Sequence, residues 1–83
     1  MNGELLVMAF DSSQQALRAE MLLEEQQIGF ELIPTPGEIT AGCAMSLSFA
    51  ESGLEPVLAV VRREHVEIRG IFRKNGAGYD RQV

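Results

Sequence analysis

Leu5-Leu6-Val7-Met8-Ala9-Phe10, followed at once by Asp11-Ser12-Ser13, is the stretch that decides the fold. A short continuous apolar run stopped by cap residues is the pattern of a strand buried on both faces. From Ser12 or Ser13 to Gln27 the chain is rich in Ala, Leu, Glu, Gln and Met and lacks Gly and Pro, which predicts a helix with Gly29 as its stop. On that helix Ala16, Ala19, Leu22 and Leu23 share one side. Leu17 and Met21 sit together on another, as at an edge or an interface.

Working outward, Phe30–Ile33 alternates as a second strand that Pro34 ends, because proline has no N–H for the ladder. Pro34-Thr35-Pro36-Gly37 predicts an ordered, exposed loop running to Gly42. Ala44–Phe49 alternates as a third strand, with Met45, Leu47 and Phe49 on one face and Ala44, Ser46 and Ser48 on the other. A second helix begins near residue 55, capped by Ser52 or by Glu55 with Pro56 in its first turn, and carries Leu54, Leu58 and Val61 as its stripe. Val66–Phe72 alternates as a fourth strand. After it periodicity is lost, so residues 73–83 read as a flexible C-terminal tail to a single domain of residues 1–72.

The order βαββαβ folds most economically as a ferredoxin-like α+β sandwich, an antiparallel sheet of order 4-1-3-2 with two helices on one face. A right-handed crossover makes the first two strands parallel. The end of the first strand, the start of the first helix and the start of the third strand then share one edge. Because the first strand is apolar on both sides, its second face also needs cover. A homodimer through the sheet or the C-terminal tail would supply it.

The 83 residues hold a thin core, since folding at this size hides only about 60% of the chain's surface. A net charge of -5 with no cluster of Lys and Arg excludes nucleic acid and anionic membranes as expected partners. No apolar run approaches the roughly 20 residues that span a bilayer. The start Met1-Asn2-Gly3-Glu4 has no basic n-region, so the expected location is the cytoplasm. One His and one Cys make no zinc spacing, and the doublet Gly76-Ala77-Gly78 is no phosphate loop, so neither metal nor cofactor is expected. His65 lies where a cation complements a helix C-terminus.

Cys43 is the only cysteine, and covalent chemistry has no other evident carrier in the chain. The topology places it near Asp11, Ser12 and Ser13, at the positive end of the first helix, which favours thiolate over thiol. Asp11 and Glu38 oppose that effect. An accessible, moderately activated thiol is the expectation, with Ser12 and Ser13 beside it and Pro34, Thr35, Pro36, Gly37, Glu38 and Gly42 framing it. The alternative is an inert cysteine packed as a small hydrophobe.

Phe10-Asp11-Ser12, Ala16, Glu20, Leu32-Ile33-Pro34-Thr35-Pro36 and the Cys43 region resemble the selenium/sulfur carrier-like proteins, a small bacterial family long treated as a domain of unknown function. The resemblance covers most of the chain, and its most specific part is Ile-Pro-Thr-Pro followed seven residues later by cysteine. Family members typically read Pro-Thr-Pro-Arg-Glu and then Cys-Gly, which marks Pro34, Pro36, Glu38 and Cys43 as motif positions. Gly37 stands where arginine is usual, and Ala44 where glycine is usual. The resemblance implies a carrier, not a turnover enzyme, that holds a persulfide or its selenium equivalent on Cys43 between a donor and an acceptor protein. A non-covalent interaction or small regulatory ligand-binding module, with an incidental cysteine, is the other class these residues allow.

Overall fold

The computed structural model describes residues 4–83. The elements are β1 (Leu5–Ala9), α1 (Ser13–Glu25), β2 (Glu31–Pro34), β3 (Met45–Ala50), α2 (Leu54–Glu64), β4 (Gly70–Asn75) and β5 (Gly78–Arg81). The fold is α+β: two helices and a five-stranded antiparallel sheet of order β2-β3-β1-β4-β5. It differs from the expected four-stranded sheet in strand count, and therefore in order, because β5 adds to the outer edge of β4. β1 lies between β3 and β4, which explains its apolar run: Leu6, Met8 and Phe10 enter the core under the helices, while Val7 and Ala9 point to the other face.

Several local expectations change. Ser12 caps α1, its Oγ accepting from the amides of Gln14 (3.1 Å) and Gln15 (3.3 Å). The helix closes before Gly29, through Gln27 at φ 59°. The Ile28 amide donates to Leu23 O (2.9 Å) and the Gln27 amide to Glu24 O (3.0 Å), a Schellman closure built without glycine. Neither Ser52 nor Glu55 caps α2. A turn of 3-10 helix over Glu51–Gly53 leads into it and Gly53 occupies the cap position without a side-chain bond.

The fourth strand starts at Gly70, not at Val66. Val66 is buried in the core and Ile68 packs against it, so their alternation reports side-chain burial without ladder pairing. Pairing with β1 begins where the Arg69 amide donates to Ala9 O (2.8 Å). The expected tail, residues 73–83, carries the end of β4 and all of β5. Asn75 pairs with Gly78 across a two-residue loop with Gly76 at φ 60°, the position that a type II′ hairpin reserves for glycine.

Cover for the second face comes from within the chain. Val7 and Ala9 cluster with Ile39 from the loop after β2, and Ile33, Ala41, Phe72 and Tyr79 pack around them. The loop that Pro36 and Gly37 shape is therefore pinned by a buried isoleucine, 5% exposed, and Tyr79 adds cover from the segment expected as a tail. Pro34 is the last residue of edge strand β2. The Thr35 amide turns inward to Ala44 O (2.7 Å), so the Pro34 nitrogen faces outward, where the missing N–H denies a donor to any added strand.

Candidate functional site

Cys43 sits just before β3, and its amide donates to Phe10 O (3.0 Å), which ties it to the end of β1. One residue earlier, the Gly42 amide donates to Asp11 Oδ1 (3.0 Å). The two backbones meet so closely that a Cβ on Gly42 would lie 2.5 Å from Asp11 O. Glycine is a steric requirement there, and it permits the approach that delivers Cys43 to the first turn of α1.

Arg69 completes this clasp. Its Nε and Nη2 each lie 3.0 Å from Asp11 Oδ1. The Gly42 amide, and then Arg69, hold the Asp11 carboxyl below its ordinary value. The sequence did not single out Arg69 as the partner of Asp11.

Thr35 holds the other flank. Its Oγ1 donates to Cys43 O (3.0 Å) and lies 2.7 Å from Ser46 Oγ. Because a threonine hydroxyl has one proton, donation to the carbonyl leaves Ser46 as the donor to Thr35. Ser46 is completely buried, and this pair satisfies it. Thr35 thus orients the Cys43 peptide without facing the sulfur.

The sulfur points to the helix side of the sheet. Cys43 is 8% exposed and belongs to the core cluster, which corrects the expectation of an accessible thiol. Its remaining exposure opens on a groove of about 140 Å³ between α1 and the β2–β3 edge, lined by Ser13, Ala16, Leu17, Glu20, Leu32 and Met45 besides the cysteine. The Met45 amide donates to Cys43 Sγ at 3.5 Å. Burial follows from the alternation of β3: Cys43, Met45, Leu47 and Phe49 all face the helices, so a residue two before Met45 is drawn into the same layer.

Of the site residues expected from the sequence, only Ser13 joins Cys43 in lining the groove. Ser12 is occupied as the helix cap, so the Gln14 and Gln15 amides are committed to its hydroxyl and not to the sulfur. Pro36 closes a turn through its carbonyl to the Ile39 amide (3.0 Å). Gly37 and Glu38 are exposed on that turn, away from the groove lining. Pro34 ends β2, and Gly42 acts through the clasp with Asp11. Leu17 is the lining residue best foreshadowed by sequence, since it falls off the core stripe of α1. Glu20 and Leu32 gave no such signal beyond the family resemblance, and Arg69, which acts through Asp11, gave none.

Among the described residues, no group of three or more His, Cys, Asp and Glu could hold a metal ion, and no helix is long and apolar enough to cross a membrane. His65 closes α2 in the left-handed conformation at φ 56° and does not line the groove.

The fold and site define a class: a small α+β protein whose one thiol forms the wall of an apolar surface groove. The family described as "Putative Se/S carrier protein-like" matches residues 5–73, and the chain belongs to that family. No curated protein and no solved structure matches it.

Proposed function

We propose that the protein carries a sulfur atom, or its selenium equivalent, on Cys43 between a donor protein and an acceptor protein. The supporting observation is the placement of Cys43 in the wall of a surface groove, in a chain that belongs to a carrier-like family. In loading, the Cys43 thiolate attacks the outer sulfur of a donor persulfide. The new S–S bond forms as the donor's S–S bond breaks, and the donor leaves as a thiolate. Delivery reverses the roles: an acceptor nucleophile takes the outer atom, and Cys43 departs as thiolate. No net oxidant or reductant is needed in either step, and no turnover of a small substrate is implied.

Burial has a use in this scheme. A persulfide held in an apolar groove is shielded from bulk thiols that would strip its outer atom, while a partner seated on the groove still reaches it. Intact-mass spectrometry after incubation with a cysteine desulfurase and cysteine tests the reading. The wild type gains one sulfur atom and Cys43→Ser gains none. Absence of an adduct across several persulfide donors would count decisively against it.

The 8% exposure of Cys43 also favours a second reading, a non-covalent interaction or regulatory module in which the cysteine is a core residue. Cys43→Ala that leaves cellular function intact would support this alternative.

A further inference from the structure

Among the described residues, the large hydrophobic side chains that remain exposed are Leu5, Leu17, Met21, Leu32 and Val83. Three of them belong to one neighbourhood. Leu17 and Leu32 line the groove from opposite sides, and Met21 lies one turn beyond Leu17 on α1. Leu17 is 59%, Met21 60% and Leu32 47% exposed, although α1 and β2 both had inward-facing positions for apolar residues.

The one charged side chain in the groove lining is that of Glu20. Between Arg18 and Arg62 the chain has seven glutamates and no lysine or arginine. Glu20 lines the groove and Glu24 follows one turn later beside Met21. Among the described residues, Glu20 and Glu24 form no ion pair. The nearby cations are engaged by partners of their own: Arg18 reaches Glu64 of α2 and Arg69 holds Asp11. An apolar patch with an acidic border is complementary to an apolar patch with a basic border.

We propose that the Leu17–Met21–Leu32 groove is the docking site for a partner protein that presents an apolar side chain within a rim of lysine or arginine. The inference deepens the carrier reading, since such a side chain would seat its bearer over Cys43, but the docking itself requires no thiol chemistry. A second copy of this chain is the less suited occupant: a two-fold contact through the groove would set Glu20 and Glu24 against their own copies. Addition of a strand is disfavoured by Pro34 at the β2 edge.

The test uses a helical peptide of alternating Leu and Lys faces as probe, with the same peptide carrying Glu in place of Lys as control. Amide chemical shifts are mapped on the full-length protein. The expected result is a set of shifts centred on Leu17, Met21, Leu32 and Met45 with the Lys peptide and none with the Glu peptide. Binding should weaken about tenfold between 0.05 and 0.5 M salt, as screening shortens the range of surface charge. The double substitution Leu17→Ser with Met21→Ser, at exposed positions, should abolish the shifts, and Glu20→Lys should weaken binding roughly three- to tenfold.

Shifts scattered over the surface, equal binding of the Glu peptide, or binding indifferent to the double substitution would overturn the proposal. So would a dimer in sedimentation that Leu17→Ser dissolves, since the occupant would then be a second copy. Repeating the titration on Cys43→Ser separates the two readings. Retained peptide binding alongside a wild type that takes up no persulfide would sink the carrier function and leave the docking site standing.

Discussion

Two glycines of the loop show how the same residue type serves different ends. Gly42 has Asp11 O 2.5 Å from where a Cβ would be, and the obstacle is backbone, which cannot swing aside. Gly37 has nothing within 4 Å of that point and does not adopt a positive φ. Gly42→Ala should therefore cost about 1–3 kcal/mol by forcing the loop off β1. Gly37→Arg should stay within about 0.5 kcal/mol of the wild type. Urea denaturation of the two variants measures both. Equal stabilities would mean that the Gly42–Asp11 contact is not a constraint.

At the scale of elements, the segment from Thr35 to Ala44 works as a strap across the sheet edge, because its two apolar contacts lie on opposite faces. Ile39 is buried against Val7 and Ala9 on one side, and Cys43 joins the helix-side core on the other. Ile39→Ala removes the anchor and should destabilise the protein by about 2–4 kcal/mol. It should also raise the rate at which iodoacetamide alkylates Cys43, since the strap can then lift locally. An unchanged alkylation rate in a variant that unfolds more easily would show that the two ends of the strap move independently. The elements also show where reading by pattern succeeds. β1, α1 and β3 were legible because each has a strong and local signal: a continuous apolar run, a cap with a helix-forming composition, and strict alternation. β5 was missed although Asn75-Gly76 is a hairpin signal, because Gly78 and the mixed polarity of the flanking residues conceal the period of two. Val66–Arg69 was misread for the reverse reason: alternate burial against a core looks like pairing when only side chains are considered.

For the molecule as a whole, two ion clasps fasten opposite ends of β1. At one end Asp11 binds the Gly42 amide and Arg69. At the other, Arg73 joins β4 to Glu4, just before β1, and to Glu51, just after β3, with 2.7 Å from Nη2 to Glu51 Oε2. The bond from Arg73 holds the Glu51 carboxyl below its ordinary value, and the Glu51 carboxylate, followed by that of Glu4, raises the Arg73 guanidinium further above its own. Both Asp11 and Glu51 bind protons more weakly in the folded chain than in the unfolded one. Their contribution is complete above the ordinary values of 3.8 and 4.5 and is lost as pH falls through the depressed folded-state values. Stability should thus decline below about pH 4.5, and the double substitution Asp11→Asn with Glu51→Gln should flatten that decline. Denaturant midpoints between pH 3 and pH 7 provide the check. An identical slope in wild type and variant would assign acid sensitivity to other carboxylates.

Sequence alone determined the α+β class, the two helices, the neighbours of β1 and the adjacency of Cys43 to the start of α1. These follow from local composition and from the handedness of a crossover, both of which act over short stretches of chain. The family was legible too, through Ile33-Pro34-Thr35-Pro36 and Cys43. Only the tertiary structure decided the fifth strand, the cover of the second face by Ile39, and the burial of the thiol. It also decided the partners of Asp11 and the meeting of Leu17 with Leu32. Each of these depends on which side chains arrive together from distant parts of the chain, and no periodicity within one segment encodes that. Cys43 shows the difference: its place in the order of elements was readable, but which way its sulfur points depended on the layer that Met45, Leu47 and Phe49 form beneath α1.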